Sequence, residues 1–247
     1  MTRMPKERLD QLLVQRGHAE TREKAQRLIR TGRVRVRSCV ESKPGKSVDP
    51  NSPIQIEHPE PYVSRGGKKL RGALSRFDVD PKGHIAIDVK TSTGGFTDCL
   101  LQFGADRVYA IDVGYGQLHW KLRNDSRVVV MEAINARYLK PGDLPEIPDL
   151  AVVDVSFISL TRILPALVSL LAEQANLITL IKPQFEAGRK YVGKGGVVRD
   201  RSIHEHVVEK IRRFGTNELH LSWMDVCESP LRGPAGNIEF LSWWKRE

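Results

Sequence analysis

A chain of 247 residues, 40% hydrophobic and 28% charged, is long enough for one large domain and a small one. Its formal charge is +9, and thirteen Lys and Arg against five Asp and Glu place +8 of that in residues 1–48, a concentration that favours docking to a polyanion over a basic face that serves solubility alone. Cys39, Cys99 and Cys227 lack Cys-x-x-Cys or Cys/His spacing, which excludes a disulfide framework and a zinc site and suits a reducing, cytoplasmic compartment.

The first ten residues are polar and charged, unlike a signal peptide. Leu9, Leu12 and Leu13 predict a helix within residues 7–16 closed by Gly17, and Thr21 caps a second helix that carries Ala25, Leu28 and Ile29 and stops before Gly32. Val34, Val36 and Val40 alternate with Arg33, Arg35 and Arg37, predicting one strand with an apolar and a basic face, and Ile54 and Ile56 predict a closing strand. Proline and polar residues from His58 to Pro61 mark a linker.

Beyond the linker, strands and helices alternate. Strands are predicted at residues 85–89, 108–113, 128–131, 150–155 and 177–181, helices from Gly95 and at 118–124, 160–172 and 203–214, and a final strand pair at 219–226 and 238–243. The apolar run Ile163–Ile181 is interrupted by Pro165, Glu173, Gln174 and Asn176 and is too polar to span a membrane. The alternation predicts an α/β domain with an open, mostly parallel sheet covered on both faces.

In such sheets ligands sit beyond the carboxyl ends of the strands, so the residues that follow each strand carry the functional signal. Asp88 ends the first strand and Gly94-Gly95 opens the next helix, the shape of a loop that lets a nucleotide cofactor approach backbone amides; helix packing alone is the competing use of these glycines. Asp112 ends the second strand 24 residues further on, where a carboxylate accepts hydrogen bonds from a cofactor ribose. Lys90 stands where such loops place their first glycine. Asp154 and Lys182 end successive strands and are expected at one rim, within reach of Lys69 and of Glu239, a carboxylate predicted inside an apolar strand and so in need of a partner. Two lysines between two carboxylates suit activation of a poor nucleophile such as a ribose hydroxyl, the competing and less favoured use of two of the four being a purely structural Lys69–Glu239 ion pair. His204 and His206 read as core-edge or solvated groups, and no Gly-x-Ser-x-Gly elbow or P-loop occurs.

The segments Arg8-Leu-Asp-Gln-Leu-Leu-Val, Tyr62-Val-Ser-Arg-Gly-Gly-Lys-Lys-Leu70, Ser92-Thr-Gly-Gly-Phe-Thr-Asp-Cys99, Asp154-Val-Ser-Phe-Ile-Ser159, Ile181-Lys-Pro-Gln-Phe-Glu-Ala-Gly188 and Gly233-Pro-Ala-Gly-Asn-Ile-Glu-Phe240 together resemble the TlyA family. The resemblance implies a Rossmann-like S-adenosylmethionine-dependent methyltransferase fold of the FtsJ-like kind at residues 62–247, a linker at 59–61 and a small α/β S4-type RNA-binding domain at 1–58. It implies 2'-O-methylation of cytidine in ribosomal RNA of subunits or ribosomes, with S-adenosyl-L-methionine as cofactor and neither a metal nor a membrane as partner. Lys69, Asp154, Lys182 and Glu239 match its catalytic set; Asp88, Lys90, Ser92, Thr93, Gly94, Gly95, Phe96, Asp112, Glu132 and Asn135 match its cofactor positions. Arg8, Arg22, Lys24, Arg27, Arg30, Arg33, Arg35, Arg37 and Arg65 are the RNA-binding candidates. The family has glycine at Lys90, which leaves open an RNA-binding factor with a blocked cofactor loop, and some relatives carry a hemolysin label, which would mean a membrane-acting protein.

Overall fold

The computed structural model describes residues 5–57 and 60–247; linker residues His58 and Pro59 lie outside the described residues. The chain divides into two compact units, Met1–Pro59 and Glu60–Glu247.

In the first unit, β1 (Glu7–Arg8) leads into α1 (Leu9–Gln15), followed by α2 (Arg22–Arg30), β2 (Val34–Val36), β3 (Cys39–Glu41), β4 (Ser47–Val48) and β5 (Ile54–Ile56). Leu9, Leu13, Ala25 and Ile29 of the helices meet Val34, Val36 and Val48 in one small core. The helix predicted from residue 7 begins at Leu9, because Glu7 and Arg8 pair with β4 instead. Gly17 at φ +71° follows the first helix, and Thr21 accepts the Lys24 N–H at the start of the second, so local chemistry sets both boundaries. The single basic-faced strand is corrected: Arg37 and Ser38 adopt φ +51° and +71°, forming a two-residue turn that folds Cys39–Glu41 back onto Val34–Val36. Val40 therefore lies opposite Arg35 and not in line with Val36.

The second unit contains α3 (Gly66–Phe77), β6 (Ile85–Val89), α4 (Gly95–Gln102), β7 (Arg107–Ile111), α5 (Trp120–Arg123), β8 (Val128–Met131), β9 (Leu150–Val153), α6 (Leu164–Leu170), β10 (Asn176–Ile181), α7 (Pro183–Glu186), α8 (Arg201–Glu218), β11 (Ser222–Glu228) and β12 (Phe240–Lys245). They form a seven-stranded sheet in the order β11-β12-β10-β9-β6-β7-β8. Five strands run parallel, and β12 is antiparallel to both β10 and β11, so the sheet is mixed. Alternation along β6 sends Ile87 and Val89 into a core shared with α6 and α8, and Ala86 into a second core shared with α3 and α4. Both faces of the sheet are thereby covered.

Several predicted elements are shorter or displaced: the strands expected at 108–113 and 150–155 stop at Ile111 and Val153, and the one expected at 219–226 begins at Ser222. The helix over 160–172 begins as a 3-10 turn and becomes α-helical only at Leu164, with Pro165 in its first turn, where a missing N–H costs nothing. The helix at 118–124 is reduced to Trp120–Arg123. Glu239 precedes β12 instead of lying inside a strand, its carbonyl accepting the Ser229 N–H.

Candidate active site

From β6 the chain builds outward to β7 and β8, then crosses to β9 on the other side of β6. The reversal opens a crevice beyond the carboxyl ends of β6 and β9, the place where α/β sheets bind ligands. It holds a cavity of about 420 Å³ whose walls include Lys69, Asp88, Lys90, Asp154 and Lys182.

The four catalytic candidates meet as two ion pairs. Lys182, the residue after β10, places Nζ 2.5 Å from Asp154 Oδ1 and donates to Ser156 Oγ at 2.9 Å. Lys69 of α3 donates to Glu239 Oε2 at 2.5 Å, and both groups are buried. Gly233 leaves room for that carboxylate, since a Cβ there would lie 2.5 Å from Glu239 Oε1. Each carboxylate holds one lysine, and Lys69, Asp154 and Lys182 face the same cavity.

On the cofactor side, Asp88 is buried, and its Oδ2 accepts the Thr97 N–H at 3.0 Å and the Thr97 hydroxyl at 2.7 Å. Its Oδ1 is buried without a partner. Burial pushes the Asp88 carboxyl up to about 7, a rise that Thr97 opposes and Asp154 and Asp112 reinforce. A buried acceptor left open toward a cavity is suited to an incoming amine or hydroxyl.

The glycine turn serves packing as well as approach. A Cβ on Gly94, at φ +95°, would lie 2.2 Å from Leu122 Cδ1, and one on Gly95 would lie 2.2 Å from Ser64 Oγ. Phe96 is buried directly behind the turn, while Thr93 is exposed at its tip.

Asp112 is saturated. Oδ1 accepts the Gly114 N–H at 2.7 Å and Oδ2 the Ser92 N–H at 2.7 Å, while Lys90 Nζ reaches both oxygens at 3.2 and 3.1 Å. Burial works against ionisation here, but these donors prevail and hold Asp112 below its ordinary value. Lys90 has φ +72°, and Ser92, Ala133 and Phe157 share the left-handed region. Lys90, Ser92 and Phe157 line the larger cavity, so part of its wall holds a backbone conformation uncommon for residues with a side chain.

Asn135 lines a second cavity of about 210 Å³ together with Lys90, Ile111 and Asp112. Glu132 lines neither cavity: Oε1 accepts the Gly116 N–H at 2.9 Å and an Arg123 N–H at 2.5 Å, and Arg123 is the main reason its carboxyl lies below its usual value.

Of the RNA-binding candidates, Arg8 and Arg22 of the first unit converge on buried Asp10, at 3.0 Å each. Arg8, then Gln26 and Arg22, hold this carboxyl far below the usual range against the penalty of burial. Lys24 pairs with Glu20, Arg35 with Glu57, and Arg37 donates to Ser52 and Asp49, while Arg27 and Arg30 lie exposed on α2. Arg33 is half-buried ahead of β2 and stands outside the strand whose basic face it was expected to share. Arg65 belongs to the second unit, where it stands just ahead of α3 without a side-chain capping bond and lines the larger cavity.

Sequence reasoning missed Ser64, Ser156 and Phe157, which also line that cavity. Phe157 is 91% exposed, and its only sequence signal is its place two and three residues after Val155 and Asp154 in a strand-end motif. His204 is buried with Nε2 2.9 Å from the Val198 carbonyl and borders a separate cavity of about 500 Å³, whereas His206 is exposed and does not line it, so the two form no ligand pair. Among the described residues no group of three or more His, Cys, Asp or Glu could hold a metal, and no helix is long and apolar enough to cross a membrane.

The chain matches the FtsJ-like methyltransferase family profile over residues 62–246 and the S4 domain profile over residues 7–54. It is 44% identical to the 16S/23S rRNA (cytidine-2'-O)-methyltransferase TlyA of Mycobacterium tuberculosis over 97% of this chain and 90% of that protein. It is also 44% identical to Hemolysin A of Brachyspira hyodysenteriae over 95% of this chain and 98% of that one. A solved Streptococcus thermophilus structure bearing a hemolysin label superimposes with a TM-score of 0.75 at 45% identity, covering 98% of this chain and 89% of its own. Solved methyltransferases of far lower identity share the α/β fold of the larger unit. The chain therefore belongs to the TlyA family, in which an S4 domain is joined to an FtsJ-like, S-adenosylmethionine-dependent methyltransferase domain.

Proposed function

We propose that this protein transfers a methyl group from S-adenosylmethionine to a cytidine 2'-hydroxyl of ribosomal RNA, with residues 1–58 docking RNA and residues 62–247 performing the chemistry. The observation that carries the reading is the pair of lysine–carboxylate contacts, Lys182 with Asp154 and Lys69 with Glu239, at the crevice that also contains the open oxygen of Asp88.

The residues present fit the cofactor. The unpartnered Asp88 Oδ1 suits its amine, the Gly94-Gly95 turn keeps the loop thin, and Asp112 suits a ribose diol once Lys90 moves away. When bound, the cofactor supplies an activated methyl on a sulfonium, so alignment of the acceptor oxygen does most of the remaining work.

The protein's own groups then have distinct tasks. Lys182, oriented by Asp154 and Ser156, lies against the incoming 2'-hydroxyl, assists loss of its proton and stabilises charge developing on its oxygen. Asp154 fixes that lysine and shapes the local field. Glu239 fixes Lys69, a second positive group beside the oxygen. In the first unit Asp10 fixes Arg8 and Arg22, so two guanidinium groups are presented with little freedom left to lose on meeting phosphates.

The Lys90–Asp112 pair favours a second reading, an RNA-binding factor that docks without transfer. The test is transfer of labelled methyl to undermethylated ribosomal subunits by the natural protein and by Lys90→Gly. Transfer by both supports the enzyme; transfer by the variant alone selects the RNA-binding factor.

A further inference from the structure

Lys90 is placed to do more than obstruct. Resting on the cofactor reading above, we propose that Lys90 is a ligand-contact residue that exchanges partners: its ammonium leaves Asp112 when a cofactor ribose arrives and pairs with the carboxylate of the ligand's amino-acid end.

The exchange begins at Asp112. Two of its four hydrogen bonds come from the backbone amides of Ser92 and Gly114, which are fixed parts of the loop. The other two come from Lys90 Nζ, at 3.1 and 3.2 Å, on a flexible four-carbon stem. A cis diol needs one acceptor for each hydroxyl, and of these donors the ammonium is the one able to vacate both oxygens.

Lys90 also borders two spaces. Its residue lines the cavity of about 420 Å³ with Asp88 and Asp154, and it lines the cavity of about 210 Å³ with Ile111 and Asn135. The Lys90 N–H is tied to the Ile111 carbonyl at 2.9 Å, so the backbone stays while the stem turns from one space to the other. The left-handed φ of +72° sets where that stem starts.

An ammonium displaced at this position, where solvent reaches 29% of the side chain, is compensated better by an anion than by water alone. The carboxylates at the crevice are engaged, Asp154 with Lys182 and Glu239 with Lys69, and Glu132, which lines neither cavity, is held by Arg123. Asp88 is buried behind Thr97, and its open oxygen is the acceptor assigned to the ligand's own amine. The carboxylate that the ligand carries in is the remaining partner. Lys90 thereby selects adenosyl ligands that bear an amino-acid carboxylate over those that lack one, since only the former compensate the loss of Asp112.

Calorimetric titration of the full chain tests this with two neutral-sulfur adenosyl thioethers, S-adenosylhomocysteine, which has the carboxylate, and 5'-methylthioadenosine, which does not. The natural protein, Lys90→Met and Lys90→Gly are compared, the last because glycine accepts φ +72° without strain. Removing the ammonium is expected to tighten 5'-methylthioadenosine about tenfold or more and S-adenosylhomocysteine much less, so that the preference between them narrows about tenfold in both variants, the share owed to the amine at Asp88 remaining. Equal tightening of the two ligands, or an unchanged preference, overturns the exchange while leaving the cofactor reading intact. Failure of all three proteins to bind either ligand overturns the cofactor reading and the exchange with it.

Discussion

Replacing Asp88 with Asn isolates the cost of holding a carboxyl in the crevice floor. Burial raises this group from 3.8 to about 7. The folded state therefore keeps a proton that the unfolded chain has released, and the stability this contributes is full below about pH 4 and is lost as pH rises through about 7. A rise of roughly three units at 1.36 kcal/mol each corresponds to about 4 kcal/mol across that window. Asparagine does not titrate, and its side-chain oxygen can take over the two Thr97 hydrogen bonds, leaving its amide toward the cavity. Chemical denaturation of both proteins at a series of pH values from about 5 to 8.5 should show the Asn variant gaining steadily on the natural protein, by most of this amount over the part of the window sampled. The same titration predicts ligand binding that strengthens with pH up to about 7, because an incoming ammonium must otherwise displace a proton. Stability curves that run parallel at all pH values would refute the argument.

Glu239→Gln leaves the Lys69 ammonium buried without its counter-ion and is expected to lower stability by about 3–5 kcal/mol, measured by denaturation of the full chain; a loss below about 1 kcal/mol would mean that Lys69 reaches solvent. Asp10→Ala releases Arg8 and Arg22 and takes the acceptor from three side chains, Arg8, Arg22 and Gln26, so melting temperature and RNA affinity should fall together, and unchanged affinity would remove the two arginines from the docking face. Simultaneous substitution of Arg33, Arg35 and Arg37 by Ala should weaken RNA binding and flatten its salt dependence, by about 0.7–0.9 in the log–log slope for each phosphate that is no longer neutralised. An unchanged slope would move docking to Arg27 and Arg30 on the helical side.

The strand-helix alternation from Ile85 to Trp243 made the larger unit legible, because buried parallel strands write themselves as short apolar runs ending in polar residues. For the same reason Asp154 and Lys182 could be expected at one rim: each follows directly on its strand, and the strands are neighbours. Features set by single backbone angles were not legible. The turn at Arg37-Ser38 has neither glycine nor asparagine to announce it, and β1 is a two-residue pairing with no periodicity to detect. The left-handed Lys90 was visible as a missing glycine, but its reach to both oxygens of Asp112 depends on a side-chain path that spacing does not encode. Ser156 and Phe157 were not legible as site residues, because they carry no charge and follow Asp154 by two and three residues, in a loop whose course toward the cavity is not encoded in spacing.

The most direct measurement is nucleoside analysis of undermethylated ribosomal subunits after incubation with S-adenosylmethionine and either the natural protein or Lys182→Ala. The account predicts 2'-O-methylcytidine from the natural protein and none above background from the variant, with ligand binding by the variant unchanged. Full methylation by Lys182→Ala, or a methyl group on a base instead of the ribose, would contradict it.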